Sequence, residues 1–326
     1  MSKIQFGFHA SSGGDIEKIP AYVKNFGGEC FQFFSHNPYG GKIAPLDPKK
    51  VSRFKENCRL AGIDNYYIHA PYYINLASLN NKIFYGSIKS IQIDLERAEL
   101  LGAKYVLTHI GSAKDFKEAN SFFNSSDSKT PDFPAKYADE LTAMSNSIGF
   151  SPKAFWRVVE ALEKIVAGST SPRLRRASHK KIPLLLEIAA GAGAILGVKF
   201  EELAFYLDQV PAIPGVCFDT AHGFASGYDI RDLKKLNAVF ASIDKTFGKN
   251  SLKLLHINDS LGDLGSHIDR HAHLGEGKLG KDAFQNLVDY FSKKNYNTDM
   301  ILETPTEAGV ISDIAFLKQC RKKHNA

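Results

Sequence analysis

Pro183-Leu184-Leu185-Leu186-Glu187 is a short apolar run closed by a carboxylate. So brief a run suits a strand covered on both faces, as in a parallel sheet, better than a buried helix. The pattern recurs along the chain at 4–8, 30–34, 66–69, 104–109, 215–219, 252–256 and 300–303. Between the runs, apolar residues return at helical spacing. Phe84, Ile88, Ile91, Leu95 and Ala98 share one face, as do Phe155, Val158, Val159, Leu162 and Ile165. Pro48 opens a further helix with Val51, Phe54 and Cys58 on its apolar side. Strand-like runs alternating with helices predict an α/β protein, a single (β/α)8 barrel of the TIM type. A doubly wound open sheet would call for a Gly-rich phosphate turn, and Gly191 and Gly193 are too isolated to make one. The fourth and fifth runs are joined by an enlarged loop region. It reads as an insertion-like segment within 113–182 of one domain spanning 1–326.

The 326 residues carry 44% hydrophobic and 23% charged side chains, which excludes a disordered or fibrous chain. No apolar run approaches the roughly 20 residues that span a membrane, so no membrane partner is expected. Met1-Ser2-Lys3 leads straight into the first run, which predicts no signal peptide and an intracellular protein. Cys30, Cys58, Cys217 and Cys320 form no CxxC pair, so free thiols in a reducing compartment are expected. A net charge of +6 is compatible with a polyanionic partner but does not demand one.

Position is more informative than composition. His69, His109, Glu187, Asp219, His256 and Glu303 each close an apolar run. In a parallel barrel those ends share the C-terminal face, where active sites are built. Burying so many ionisable groups together without partners would be prohibitively costly, and a metal cluster removes the problem. His222 follows Asp219 by three, and Asp269 and His271 lie in the loop after the seventh run. Nine imidazole and carboxylate ligands exceed the four that one zinc takes and suit two or three ions. The donor mixture suits zinc first, then manganese or iron. His9 is a candidate for a supporting role, as is His273, while Phe31, Phe33 and Phe34 read as barrel packing.

The motifs His69-Ala70-Pro71-Tyr72, Phe218-Asp219-Thr220-Ala221-His222-Gly223, His256-Ile257-Asn258-Asp259-Ser260, Asp269-Arg270-His271-Ala272-His273-Leu274-Gly275-Glu276-Gly277 and Ile301-Leu302-Glu303-Thr304, in this order, resemble the endonuclease IV family of apurinic/apyrimidinic endonucleases. The resemblance implies a TIM barrel with three zinc ions that cuts double-stranded DNA 5′ to an abasic site, leaving a 3′-hydroxyl and a 5′-deoxyribose phosphate. It implies that His69, His109 and Glu187 hold the first ion. Glu187 would bridge to a second, also held by Asp219, His256 and Glu303, and His222, Asp269 and His271 would hold the third. Glu187 is then the catalytic residue, Tyr72 a DNA contact, and the expected state a monomer. Ile110 and Ile188 stand where the family usually has Pro and Asn, and Tyr39 stands where some members have Arg. Two other readings remain open at this point: a metal-dependent sugar isomerase or epimerase on the same barrel, and a DNA-lesion binder without catalysis. Arg173, Arg175, Arg176, Lys180 and Lys181 form the densest basic cluster and read as either a solvated loop or a DNA contact.

Overall fold

A computed structural model of the chain describes residues 4–11, 13–116, 134–168, 182–294 and 296–325. Its strands are β1 (Phe6–His9), β2 (Cys30–Phe34), β3 (Tyr66–His69), β4 (Tyr105–Thr108), β5 (Leu184–Glu187), β6 (Val216–Asp219), β7 (Leu252–His256) and β8 (Asp299–Leu302). They lie parallel and in sequence order, and β8 closes the barrel against β1 with Phe6 opposite Met300. The expected (β/α)8 barrel is therefore the fold. The closure demands glycine at position 7. A Cβ there would lie 1.9 Å from the Cys30 carbonyl oxygen on the neighbouring strand.

Alternation along each strand sorts its residues between two cores. Phe31, Phe33, Ile68, Leu186 and Leu255 point outward into the layer beneath the helices. Cys30, Tyr67, Leu107, Leu185, Cys217, Leu254 and Ile301 point inward and pack together as a fully buried floor. Two residues further along each strand, the inward position reappears nearer the C-terminal mouth. There it is occupied by His9, Gln32, His69, His109, Glu187, Asp219, His256 and Glu303. His109 and Glu303 fall one residue past the ends of their strands, yet keep the inward phase.

The helices follow from cap chemistry and amphipathic spacing. α1 (Ile19–Asn25) precedes β2. α2 (Pro48–Ala61) begins where the Asp47 carboxylate accepts the Lys49 amide at 2.9 Å, and ends at Gly62 with φ 69°. α3 (Asn81–Leu101) is capped by Asn80 and buries Phe84, Ile88, Ile91, Leu95 and Ala98, the face its spacing predicts. Within the long connection before β5, α4 (Ala138–Ile148) leads into α5 (Pro152–Gly168). α5 packs on α3, with the Arg157 guanidinium 3.5 Å from the Phe84 ring centre, and so serves as the ordinary barrel helix of that unit. The basic cluster Arg173, Arg175, Arg176, Lys180 and Lys181 lies outside the described residues. α6 (Phe200–Gln209), α8 (Leu233–Phe247), α9 (Lys281–Lys293) and α10 (Glu307–Asn325) complete the outer layer, while α7 (Thr220–Ala225) is a short buried helix at the mouth directly after β6. Among the described residues no helix is long and apolar enough to cross a membrane. All four cysteines are buried.

Candidate metal centre

Glu187 is the hub of the mouth. It is fully buried, and its two oxygens face different groups. Oε2 lies 3.1 Å from His69 Nε2 and 3.7 Å from His109 Nε2. Oε1 lies 2.9 Å from His256 Nδ1 and 3.4 Å from His222 Nδ1. His256 Nδ1 is also 3.2 Å from Glu303 Oε2 and 3.8 Å from Asp219 Oδ2.

Local structure explains how the later loops reach this point. Asp219 is the N-cap of α7, and its side chain accepts the His222 amide at 2.8 Å. The three-residue spacing therefore fixes His222 over the carboxylate that caps it. After β7, Asp259 and Ser260 pair antiparallel with Ala272 and His271, which brings His271 back over the barrel. His222 Nε2 and His271 Nε2 then approach to 3.3 Å. Asp269 Oδ1 sits 3.1 Å from the first and 3.7 Å from the second.

The hydrogen-bond partners assign the ring nitrogens. Nδ1–H of His69 donates to the Ala70 carbonyl at 2.6 Å, that of His222 to Ile188 at 3.1 Å, and that of His271 to Glu303 at 3.3 Å. Each ring thus turns an Nε2 lone pair towards the other ring members. Metal-bound imidazoles behave in this way, because the outer hydrogen bond orients the ring and raises its basicity. Two lone pairs facing each other at 3.3 Å repel unless a cation or a proton lies between them. Tetrahedral ligands about 2.0–2.2 Å from a zinc are about 3.3–3.6 Å apart, which is close to the separations in the ring. Four groups of donors have ligand atoms within 4.8 Å of one another: His69–His109–Glu187, Glu187–Asp219–His256–Glu303, Asp219–His222–His271 and Glu187–Cys217–His256. The donor set fits divalent cations. His109 differs from its neighbours, since its Nδ1 is buried without a hydrogen-bond partner among the described residues.

Electrostatics agree. Burial opposes ionisation of Glu187, yet His109 and His256 hold its carboxyl well below the usual range. Burial likewise opposes protonation of His222, but Asp219, Asp269 and Glu187 raise its pKa well above normal. His256 is raised in the same way, by Cys217, Glu187 and Glu303. The carboxylates demand positive charge, and protonated imidazoles supply it in the absence of other cations.

All nine expected ligands come together at this mouth. Reading the strand ends missed Gln32, whose signal was its inward phase two residues after Cys30 in β2. It also missed a specific task for Asn258, whose amide donates to Asp219 Oδ2 at 2.7 Å while its carbonyl accepts the Glu303 amide at 2.7 Å. His9, proposed for support, lies 3.4 Å from Glu303 Oε1. His273 supports a different place: its Nδ1 pairs with Asp313 at 2.8 Å and its Nε2 with Thr306 at 2.9 Å. Phe31 and Phe33 do pack under the helices. Phe34 does not, because it shares the inward phase and forms the wall of the mouth beside His9.

The mouth is a cavity of about 510 Å³ bounded by Phe34, Tyr72, Thr304 and Pro305 above the ring. A more apolar alcove of about 200 Å³ opens beside it under Ile74, Ala189, Ala190 and Ile195. Tyr72 is 64% exposed at the rim and makes an edge contact with Phe34, with ring centres 5.0 Å apart. Tyr39, 83% exposed, stands 5.8 Å from Tyr72.

Residues 20–320 match the family described as xylose isomerase-like TIM barrels. The protein named probable endonuclease 4 of Chloroflexus aurantiacus is 31% identical over 95% of this chain and 94% of its own length. Its counterpart in Methanoculleus marisnigri is 29% identical over 92% of both chains. Among solved structures, endonuclease IV from Thermus thermophilus superposes with a TM-score of 0.73 at 28% identity, covering 97% of this chain and 99% of that one. A D-tagatose 3-epimerase-like protein also superposes, with a TM-score of 0.64 at 16% identity over 99% and 98% of the two chains, and shares the barrel alone. On sequence and fold together, this chain belongs to the endonuclease IV family of the xylose isomerase-like TIM barrels.

Proposed function

We propose that the chain is a zinc-dependent apurinic/apyrimidinic endonuclease of DNA repair. It would act as a monomer of one domain on duplex DNA, cutting 5′ to an abasic site to leave a 3′-hydroxyl and a 5′-deoxyribose phosphate. The observation that carries this reading is the convergence of His222, His271 and Asp269 on the ring already formed around Glu187. One ion would be held by His69, His109 and Glu187, a second by Glu187, Asp219, His256 and Glu303, and a third by His222, Asp269 and His271. Manganese or iron suits the same donors at some positions. Cations bound there lower the pKa of water towards about 7 and neutralise charge on a phosphodiester under attack.

The chain's own residues do the rest. Glu187 would be shared between two ions and is the catalytic residue. Tyr72 stands clear of the ring at the rim, where DNA must approach. An abasic nucleotide has no base to unpair, so drawing it into the mouth costs less than extruding an intact one. A sugar isomerase or epimerase reading accounts for the ring around Glu187 but gives no task to His222, Asp269 and His271. A binder without catalysis needs no open site of this kind.

Metal analysis together with incision of a duplex bearing one abasic site tests the reading. Three zinc ions per chain and a cut on the 5′ side are expected. Less than one ion per chain overturns the metal centre, and an intact duplex overturns the endonuclease.

A further inference from the structure

Of the eight inward positions at the mouth, Gln32 is the only neutral amide. It is fully buried and touches three ionisable neighbours. Its amide nitrogen lies 2.6 Å from Glu303 Oε1 and 2.9 Å from His9 Nδ1, and its carbonyl oxygen lies 2.8 Å from His256 Nε2.

The orientation of the amide follows from one of these contacts. An ionised carboxylate only accepts hydrogen bonds, so the group facing Glu303 must be the NH2. The carbonyl then faces His256 and can only accept, which requires a proton on His256 Nε2. The second amide proton points to His9, whose Nδ1 must accept it. With that proton on Nε2, a neutral His256 is the tautomer whose Nδ1 lone pair is free for an ion. That Nδ1 faces Glu187 Oε1 at 2.9 Å and Glu303 Oε2 at 3.2 Å. His256 is the reverse of His69, His222 and His271, which bond carbonyls through Nδ1 and turn Nε2 to the centre.

We propose that Gln32 is a positioning residue for the ion held by Glu187, Asp219, His256 and Glu303. Its carbonyl selects the Nδ1 face of His256, and its NH2 occupies Glu303 Oε1 so that Oε2 turns to the same point. One side chain therefore aims two ligands that come from different strands. Among the described residues the partner of His256 Nε2 is this side chain and not a backbone carbonyl. The inference rests on reading the mouth as a metal centre.

The test combines imidazole ¹⁵N NMR with zinc titration of wild-type protein and of Gln32→Met and Gln32→Glu. In the zinc-loaded wild type, His256 should be neutral and protonated on Nε2. Gln32→Met, close in volume but unable to bond, should lose that signature. It should bind one of its ions roughly 10- to 100-fold more weakly while retaining the others. Gln32→Glu keeps the acceptor for His256 but places a second carboxylate against Glu303. It should preserve the His256 signature and still weaken the ion. A wild-type His256 protonated on Nδ1 overturns the proposal, as does a folded Gln32→Met that binds every ion with wild-type affinity. A wild type that binds no ion overturns the metal centre itself, and so separates the failure of the two readings. If Gln32→Met does not fold, the wild-type tautomer and Gln32→Glu still decide.

Discussion

Glu187 and Asp259 are both buried carboxylates at the C-terminal side of the barrel, and they are stabilised in opposite ways. Glu187 is surrounded by imidazoles and other carboxylates, all able to exchange protons or bind ions. Asp259 is surrounded by backbone. Its Oδ1 accepts from Ser260 at 2.8 Å and Leu279 at 2.9 Å, and its Oδ2 from Gly275 and Gly277 at 3.0 Å and Gly280 at 3.3 Å. Apart from the adjacent Ser260, those donors belong to the Leu274-Gly275-Glu276-Gly277 turn and its continuation. A Cβ at Gly277 would lie 2.5 Å from Asp259 Oδ1, which is why the turn needs glycine there. Fixed backbone dipoles neutralise Asp259 and leave nothing to react. Imidazoles that exchange protons, in a donor set that fits divalent cations, surround Glu187 and leave it chemically competent. The difference teaches that burial of a carboxylate does not mark a functional site; the kind of partner does.

The comparison can be broken most sharply at Glu187. Glu187→Gln should cut incision of abasic duplex by roughly 10³-fold or more while leaving the circular dichroism and melting transition nearly intact. Turnover near wild type would remove Glu187 from the centre. Asp259→Asn should show the opposite profile. Its new NH2 would face backbone N–H donors, so unfolding should become easier by about 2–4 kcal/mol. Incision per folded molecule should change far less, and an equal loss of activity would collapse the distinction between the two carboxylates.

Glu202 offers an intermediate case. Gly197, Val198 and Tyr206 donate to it at 2.8, 3.1 and 3.0 Å, yet burial pushes its pKa up to about 7. Since that is above the unfolded value, its contribution to stability is complete below the unfolded pKa and is lost as pH rises through about 7. Denaturant titrations of wild type should lose about 2–3 kcal/mol from this group between roughly pH 5 and 8. Glu202→Gln should flatten that part of the profile, and parallel profiles would contradict it. The smallest effect is expected at the rim. Tyr72→Ala should weaken abasic duplex binding by about tenfold, or roughly 1.4 kcal/mol. Metal content should not change, and an unaltered affinity would take Tyr72 off the DNA surface.

The barrel was legible in the sequence because the strands are short and apolar and the third to the eighth are closed by an ionisable residue. The ring was legible for the same reason, as His69, His109, Glu187, Asp219, His256 and Glu303 all interrupt apolar runs. Gln32 escaped because it lies inside its strand, where a neutral amide between Phe31 and Phe33 draws less notice than a charge. The hydrogen bonds that select each imidazole nitrogen were not legible, since they join residues such as His222 and Ile188 across separate loops. Helical spacing also passes over α7. It is brief and built on small residues, and its start depends on Asp219 acting as cap as well as ring member.

The floor of Cys30, Tyr67, Leu107, Leu185, Cys217, Leu254 and Ile301 has a consequence in time. It closes the barrel from below, and the ring faces the C-terminal mouth. On the proposed function, ions would load before a duplex covers that mouth and would wait for its departure to leave. Packing would then order the traffic. Chelators would act on uncovered protein, and a long-lived DNA complex would shield the ions it encloses.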